Sequence, residues 1–356
     1  MRAMPARGNN FDLLRLVFAT TVALVHAHVL SGAPALAPLS RVLSSAVAVS
    51  GFFAISGFLI TASYQQSASL ARFAEKRVRR IFPGYIAVVV ATAALGMVVA
   101  DLASAAYLRD GGLWCYLAAN LSFLNFLAPS LPGVFASNPT GRAVNGALWS
   151  IRIELLCYVG VPLLFVATRR LRPALVFLAA LGVCGALAAW LGARHARTGQ
   201  EIWHLAQVEL PVPVACFLCG SAIRFYFATF ERRARALVAA SLVCVAGRYV
   251  PIVAPFAEAV FPAALAVIVL YAALELPFLG NFARYGDLSY GIYIWHFPVI
   301  QLLVALGLFA ASPFGALALA LGCIGVLALA SWHAVERPFL RRDSHYKHAS
   351  ERSRAG

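Results

Sequence analysis

Long apolar stretches dominate this sequence, and most of them have the length that crosses a lipid bilayer. About 20 apolar residues span the hydrocarbon core as a helix. Because that core holds no water to satisfy free backbone groups, such segments fold as membrane-spanning helices. Ten windows fit, of which 235–250 is the shortest: 11–30, 43–63, 81–100, 149–168, 173–192, 206–227, 235–250, 254–274, 286–309 and 313–334. The stretch 113–128 is amphipathic and predicts an interfacial helix or one that dips into the membrane.

The composition excludes a soluble protein of this size. Hydrophobic residues make up 62% of the chain and charged residues 12%, whereas a soluble surface needs far more charge. No charged or Ser/Gly-rich linker divides the chain. We therefore expect an all-α integral membrane domain over 1–340 with about ten transmembrane helices, followed by a basic polar tail at 341–356.

Basic residues predict the orientation of these helices. With a cytoplasmic N-terminus and ten alternating spans, 21 of the 29 lysines and arginines fall in or beside the inner segments, against six on the outer side. This asymmetry is the positive-inside pattern, and it places both termini in the cytoplasm. The net charge of +15 is therefore a topology signal, and we expect no nucleic-acid partner. A cleaved signal peptide is a poor reading of 11–30, because its apolar region would contain Arg15 and two histidines.

Two ionisable residues of the first window lie on one helix face. Arg15 and His26 are eleven positions apart, which is about 20° from three full turns, and they are separated by about 16 Å along the axis. Ionisable groups inside a membrane usually face a protein interior or a water-filled cavity. For Arg15 alone a second interpretation is open, because its long side chain can snorkel to the lipid headgroups and need not bind a ligand. Imidazole is too short to do so from the depth of His26.

Glu154 in the fourth window is the expected partner of His26. With Trp149 as an interfacial anchor, Glu154 lies at about the same depth as His26. A carboxylate on one imidazole nitrogen orients the ring and raises the basicity of the other. Arg152 is the rival partner in a structural ion pair, although two positions along a helix place it about 200° from Glu154.

The stretch "ARFAEKRVRRIFPGY" predicts a basic loop that leads into the third span. Topology anchoring explains its charge. The dense placement of Arg77, Arg79 and Arg80 also suits phosphate, which guanidinium groups bind bidentately. Together with a base deep in the membrane, this loop indicates a phosphate-bearing donor at the cytoplasmic face.

Helix packing also explains several other polar and small residues. His296, in "YIWHFP", is typical of a packed histidine with one hydrogen bond, and Tyr290 and Tyr293 either line a channel or pack. The Ser56–Gly57 pair suits close helix packing. Cys216 and Cys219 form a CxxC without a second ligand pair, so we expect no metal site.

Several motifs in order resemble the membrane-bound acyltransferase family 3, whose members O-acylate bacterial glycans and some small molecules. The resemblance covers about 9–340 and rests on the Arg…His helix "NNFDLLRLVFATTVALVHAH", on "GFFAISGFLIT", on "RVRRIFPGY", on "LWSIRIELLCY", on "YGDLSYGIYIWHFPV" and on "VERPF". Each motif is moderately specific, and the ordered set is highly specific.

The resemblance implies an acyl-CoA donor, by default acetyl-CoA, and a bacterial inner-membrane enzyme without a metal. The CoA phosphates are expected on Arg15, Arg77 and Arg80. His26 is the expected general base, oriented by Glu154, and the acceptor is expected to be a glycan or lipid-linked saccharide that enters from the outer side. Substrate contacts are expected from these side chains: Trp149, Tyr158, Tyr290 and His296.

Two other functions fit parts of the pattern. A transporter or flippase of lipid-linked sugars would explain many spans with buried charge, but such proteins often have repeated halves, and the sequence has no visible repeat. Acylation of a cytosolic small molecule is a variant of the enzyme reading. A non-catalytic scaffold leaves the shared face of Arg15 and His26 and the buried Glu154 unexplained.

Overall fold

The computed structural model describes residues 9–140, 143–284 and 286–341, and these residues form helices and turns without a strand. Of the predicted basic tail, all but its first residue lies outside the described residues. The α-helices are α1 Phe11–Ser31, α2 Ala37–Val42, α3 Ser45–Gln66, α4 Leu70–Val99, α5 Ser104–Arg109, α6 Gly111–Leu121, α7 Trp149–Arg170, α8 Pro173–Thr198, α9 Glu201–Glu209, α10 Pro211–Phe225, α11 Phe227–Gly247, α12 Ala254–Leu274, α13 Leu288–Ala305, α14 Leu308–Ala311, α15 Pro313–Ala330 and α16 Arg337–Phe339. Single 3₁₀ turns occupy Pro34–Leu36 and Gly146–Leu148, and a π-helical turn occupies Ser331–Glu336.

Nine helical segments of the described chain are long and apolar enough to cross a membrane, and they correspond to nine of the ten predicted windows. The window 235–250 overlaps the second half of α11, which has 21 residues and ends at Gly247. Its first half carries Glu231, Arg232, Arg233 and Arg235, and this charge keeps α11 below the hydropathy of the other nine. The predicted all-helical membrane architecture is confirmed for the residues that the structure describes.

The amphipathic segment 113–128 forms only a short helix. Within it, α6 ends at Leu121 and the chain continues in turns. Eleven residues extend about 16 Å, roughly half of the hydrocarbon core, so α6 does not cross a bilayer.

The prediction of a basic loop before the third span is wrong. Its residues belong to α4, which begins at Leu70 and continues through Pro83. Alanine, glutamate, lysine and arginine are strong helix formers, and Glu75 accepts an ion pair from Arg79 one turn later at 2.8 Å. A proline inside a membrane helix is tolerated where neighbouring groups satisfy the freed carbonyl.

The described residues divide into two compact units. The first contains those within 1–14, 46–73 and 153–280, and the second contains those within 15–45, 74–152 and 281–356. In the first unit, glycines bring α3 and α10 into backbone contact: a methyl group on Gly57 would overlap the carbonyl oxygen of Phe217, and one on Gly220 would overlap that of Ala54. The predicted close packing at Gly57 is confirmed.

Helices α11 and α12 of the first unit form an antiparallel pair. The Sγ atom of Cys244 contacts the carbonyl oxygen of Ala257 at 3.7 Å, and Arg248 binds Glu258 at 2.8 Å. Cys244 lies three residues before the end of α11 and Ala257 three residues after the start of α12, and only six residues, 248–253, connect the two helices. The chain therefore folds back on itself at this turn, and both helices are 21 residues long.

In the second unit, α13 packs against α4 and α15 through small residues. A methyl group on Gly84 of α4 would overlap the ring of Tyr290, and one on Gly291 would overlap Ala328 of α15. Gly286, just before α13, has a φ of +121° and lies against the indole of Trp332. A side chain at Gly286 is therefore excluded both by its backbone conformation and by the lack of space.

Candidate active site

Four charged side chains of the second unit form one buried cluster, which we name the charge cluster. Arg15 of α1 donates to Oδ2 of Asp287 at 2.7 Å, and Arg80 of α4 donates to the same oxygen at 2.6 Å. Arg80 also donates to Oε2 of Glu336 at 2.7 Å. Two arginines and two carboxylates balance each other in charge, as buried ionic groups require.

Local structure positions both carboxylates of the charge cluster. Asp287 directly precedes α13 after the turn at Gly286, and Ser289 donates to its second oxygen. Glu336 closes the π-helical turn, whose wider winding brings Ser331 and Glu336 to the same side. The hydroxyl of Ser331 donates to Oε1 of Glu336 at 2.9 Å. Each carboxylate therefore has partners on both of its oxygens.

Arg80 is the most enclosed arginine of the charge cluster. It is 8% exposed, while Asp287 and Glu336 are 4% and 1% exposed. Its guanidinium lies 5.1 Å from the ring centroid of Tyr290, a cation–π distance, and the hydroxyl of Tyr290 donates to the carbonyl of Ile81 at 2.8 Å. Arg77 lies one turn earlier on α4 and is partly exposed. Both expected phosphate ligands on α4 thus lie on a helix, and Arg80 binds two carboxylates there.

His26 and His296 form a second constellation in the same unit, which we name the histidine pair. Their Nδ1 and Nε2 atoms, respectively, are 2.7 Å apart, and the rings stack with centroids 5.0 Å apart. His296 is fully buried, and its Nδ1 lies 2.7 Å from the carbonyl oxygen of Tyr293. Phe297 presents its ring edge-on to His26 at 5.7 Å. The structure thus brings together two histidines that the sequence analysis had given separate roles.

The hydrogen-bond chain fixes the tautomers of a neutral histidine pair. A carbonyl oxygen only accepts, so Nδ1 of His296 carries a proton and its Nε2 is an acceptor. Nδ1 of His26 must then donate to that acceptor, which leaves Nε2 of His26 with an unprotonated lone pair. These proton positions follow from the partners of each nitrogen. The neutral pair therefore ends in an unprotonated ring nitrogen, Nε2 of His26.

A proline helps to hold His296 in place. Pro298 has no N–H, so the carbonyl of Ile294 loses its partner within α13. The amide of Asn145 donates to that carbonyl at 2.9 Å. Nearby, Ser150 and Tyr293 share a hydroxyl–hydroxyl bond of 2.7 Å. The segment before α7 is thus tied to the helix that carries His296.

The charge cluster and the histidine pair show that α1 and α13 run in the same direction. Arg15 meets Asp287 and, eleven positions later, His26 meets His296, which follows Asp287 by nine positions. Contacts that advance together along both chains occur only between parallel helices. The predicted shared face of Arg15 and His26 is confirmed, because both side chains contact residues at or on α13.

Glu154 lies in the first unit, where two hydroxyl groups bind it. Ser56 of α3 donates to Oε1 at 3.0 Å, and Tyr158 donates to the same oxygen at 2.6 Å from one turn later on α7. Ser56 thus has a polar role besides helix packing. Trp149 is the first residue of α7 and is partly exposed. Arg152, the expected rival partner of Glu154, places its guanidinium 4.6 Å from the ring centroid of Phe126.

Comparison with known proteins identifies the family. A family model described as an acyltransferase domain, of the acyltransferase 3 type, matches residues 9–335. The chain belongs to the acyltransferase 3 family. It is 32% identical to nodulation protein 10 of Rhizobium leguminosarum bv. viciae over 94% of this chain and 93% of that protein. It is 26% identical to an O-acetyl transferase of Shigella phage Sf6, over 95% and 98% of the two chains.

A third relative is also named as an acyltransferase. The acyltransferase MdmB of Streptomyces mycarofaciens is 25% identical over 83% of this chain and 81% of that protein. No solved structure matches the chain. The family and these relatives support an O-acyltransferase, and the resemblance stated from the motifs is confirmed.

Sequence reasoning missed Asp287 and Glu336 as site residues. Both lie inside motifs that the family resemblance used, "YGDLSYG" and "VERPF". The available signal was the need of intramembrane arginines for counter-charges. It was overlooked because neither carboxylate lies near Arg15 or Arg80 in sequence.

The charge cluster predicts a large stability cost for Asp287→Ala. Removing this carboxylate leaves Arg15 and Arg80 with one counter-charge fewer in a buried site, and breaking a buried pair costs about 3–5 kcal/mol. The matched control is Glu258→Ala, because Glu258 pairs with Arg248 at the surface and its side chain is 55% exposed; an exposed pair contributes about 0–1 kcal/mol. The free energy of unfolding in mixed micelles measures both. Equal losses for the two variants would contradict the cluster's structural role.

Proposed function

We propose that this enzyme transfers an acyl group, by default acetyl, from cytoplasmic acyl-CoA to a hydroxyl group of a glycan, with His26 as general base. The observation that carries this proposal is the histidine pair, whose hydrogen bonds leave a lone pair on Nε2 of His26. A sugar hydroxyl is a poor nucleophile near neutral pH and needs a base positioned to take its proton. The relatives named as acyltransferases support the reaction class.

In the proposed step, Nε2 of His26 takes one proton from the acceptor hydroxyl and gives it to the leaving thiolate. As Nε2 of His26 accepts the hydroxyl proton, the acceptor oxygen forms a bond to the thioester carbonyl carbon. The carbon–sulfur bond then breaks, and the CoA thiolate leaves and takes the proton back from Nε2. Nδ1 of His26 keeps its proton and its bond to His296 throughout, so the imidazolium formed midway stays oriented.

The donor phosphates are proposed to bind at the end of the second unit where the charge cluster lies. Arg77, Arg79 and further basic residues of α4 supply positive charge there, and phosphate prefers such guanidinium groups. Arg15 and Arg80 were expected to bind phosphate directly. Since both already bind Asp287, we assign them to positioning α1 and α4 and place the direct phosphate contact at Arg77. The charge cluster beside this site is separated from the base by about 16 Å along α1, the rise from Arg15 to His26.

Glu154 is retained as a second proposed catalytic residue, although its hydrogen-bond partners in the structure are Ser56 and Tyr158. Those hydroxyls hold one carboxylate oxygen in a fixed place. Glu154→Gln keeps an acceptor for both hydroxyls and removes only the charge. Unchanged transfer by that variant would remove Glu154 from the mechanism.

The parallel course of α1 and α13 supports ten membrane crossings. For both helices to run the same way, the chain must cross an odd number of times between them. Six candidate spans lie there: α3, α4, α7, α8, the segment Glu201–Phe225, and α12. A seventh crossing is required, and α11 supplies it, since it lies antiparallel to α12 with the same length. Its charged first half then lies on the cytoplasmic side, as the positive-inside rule favours, with both termini in the cytoplasm.

The acceptor is proposed to be a cell-surface or lipid-linked saccharide, and the enzyme to lie in a bacterial inner membrane. The three relatives come from two bacteria and a bacterial phage, and one of them is named an O-acetyl transferase. Acylation of a cytosolic small molecule is the variant. It would require the hydroxyl to reach His26 from the side on which CoA binds.

The topology predicts opposite sides for the two ends of α11. Single cysteines at Ala228 and at Tyr249, in a background without native cysteines, are probed with a membrane-impermeant maleimide in intact cells. We expect labelling of Tyr249→Cys and none of Ala228→Cys until the membrane is opened. Labelling of both positions from outside would contradict a crossing by α11.

If His26 is the base, separate substitutions should affect acetyl transfer and acetyl-CoA binding. His26→Ala should abolish acetyl transfer while the purified protein in nanodiscs still binds acetyl-CoA, because general-base catalysis is lost and the phosphate site remains. Arg77→Ala is the matched variant and should weaken acetyl-CoA binding. Near-normal turnover by His26→Ala would overturn the mechanism, and unchanged binding by Arg77→Ala would overturn the donor placement.

The hydrogen bonds that fix the tautomers of the histidine pair predict different outcomes for two replacements of His296. His296→Gln offers His26 an acceptor oxygen, so it should keep part of the transfer activity. His296→Leu offers none, so the proton on His26 is no longer confined to Nδ1, and kcat should fall by about a further tenfold or more, within the range that general-base catalysis contributes. Acetyl-CoA binding should be unchanged in both. Equal kcat values for the two variants would show that His296 acts only by packing.

A further inference from the structure

A cavity of about 490 Å³ lies in the second unit where α1 and α13 end. Small-molecule sites have volumes of about 300–1,000 Å³, so this cavity has the size of a binding site. Its walls are the turn after α1, the loop that precedes α7, the end of α13 and the segment that leads into α15. The lining comprises 31–35, 137–139, 304–305, 309–310 and 313.

The cavity lies on the same side of the histidine pair along both helices. Ser31 follows His26 by five positions on α1, which is about 7.5 Å of helix. Val304 follows His296 by eight positions on α13, which is about 12 Å. The charge cluster lies in the opposite direction along both helices, so the cavity and the proposed phosphate site are at opposite ends of them.

The side chains that line the cavity are uncharged. None of them is ionisable, so an anion there would lose water without gaining a counter-charge, which is costly. This disfavours the CoA phosphates and a sugar carboxylate. Hydroxyl and amide groups come from Ser31, Ser137 and Asn138, and apolar surface comes from prolines and alanines.

The side-chain amide of Asn138 is held in place beside the cavity. Nδ2 of Asn138 donates to the backbone carbonyl of Gln301 at 2.9 Å and to its side-chain oxygen at 2.7 Å. Gln301 is fully buried and donates in turn to the carbonyl of Ala143 at 2.9 Å. With its amide nitrogen so used, Asn138 offers its side-chain oxygen as an acceptor. Pro34, Pro139 and Pro313 restrict the backbone around the cavity.

We propose that this cavity binds an uncharged sugar ring of the acceptor, about 7.5–12 Å along the two helices from the histidine pair. The assignment rests on the proposed function and names the class of acceptor that the enzyme takes. The C–H face of a pyranose matches the proline and alanine surface, and its hydroxyl rim matches the oxygen and hydroxyl groups of Asn138, Ser31 and Ser137. A neutral residue within a glycan fits this environment, and a uronic acid does not.

A matched pair of variants in α14 tests the cavity. Ala310 and Ala311 are adjacent and exposed, but only Ala310 lines the cavity. Ala310→Trp should fill it, whereas Ala311→Trp adds the same side chain beside it. Methyl β-D-glucopyranoside and methyl β-D-galactopyranoside are the neutral probes, and methyl β-D-glucuronide is the charged one. Saturation-transfer NMR on the protein in nanodiscs measures their binding.

We expect saturable binding of a neutral glycoside to the wild type and to Ala311→Trp, an affinity loss of about tenfold or more in Ala310→Trp, and no binding of the glucuronide. Equal binding to Ala310→Trp, equal binding of the glucuronide, or no binding of either neutral glycoside overturns the assignment. Acetyl-CoA binding is measured on the same samples and should be unchanged in Ala310→Trp. Its absence from the wild type would refute the proposed function separately, whatever the sugar result.

Discussion

One carboxylate, Asp287, accepts from two arginines on two different helices. This shared contact fixes Arg15 of α1 and Arg80 of α4 at the beginning of α13, in a place too buried for water to compensate a missing partner. Because α1 and α13 are then aligned in the same direction, His26 meets His296 farther along. The geometry of the proposed base therefore depends on an ion pair about 16 Å away along α1.

In the proposed mechanism, hydrogen bonds within the second unit orient the base. A backbone carbonyl, that of Tyr293, sets the tautomer of His296, which sets that of His26. Pro298 frees a neighbouring carbonyl of α13, and Asn145 occupies it. Such helix interruptions are tolerated in a membrane only where other protein groups form hydrogen bonds with the freed backbone carbonyls. The irregular elements of the second unit, Pro298 and the π turn that ends at Glu336, accordingly lie beside its polar clusters.

Helical periodicity predicted the features that lie within one helix. The spacing of Arg15 and His26 gave their common face, and nine spans followed from apolar length alone. Pairings between distant segments carry no local periodicity, so the bond between His26 and His296 and the counter-charges Asp287 and Glu336 were not found. The prediction of a loop at Arg77 and Arg80 was wrong because the apolar window, which begins at 81, marks only the part of the helix that is apolar enough to cross a membrane. The residues before it are strong helix formers, and they extend α4 back to Leu70.

The most direct test of the account is the protonation of His26 itself. Solid-state ¹⁵N NMR of the histidine-labelled enzyme in lipid bilayers distinguishes protonated from unprotonated ring nitrogens, and a His26→Gln sample identifies the signals of this residue. At neutral pH the account predicts a proton on Nδ1 of His26, shared with His296, and none on Nε2. A proton on Nε2 with a bare Nδ1, or a permanently charged ring, would contradict His26 as the base.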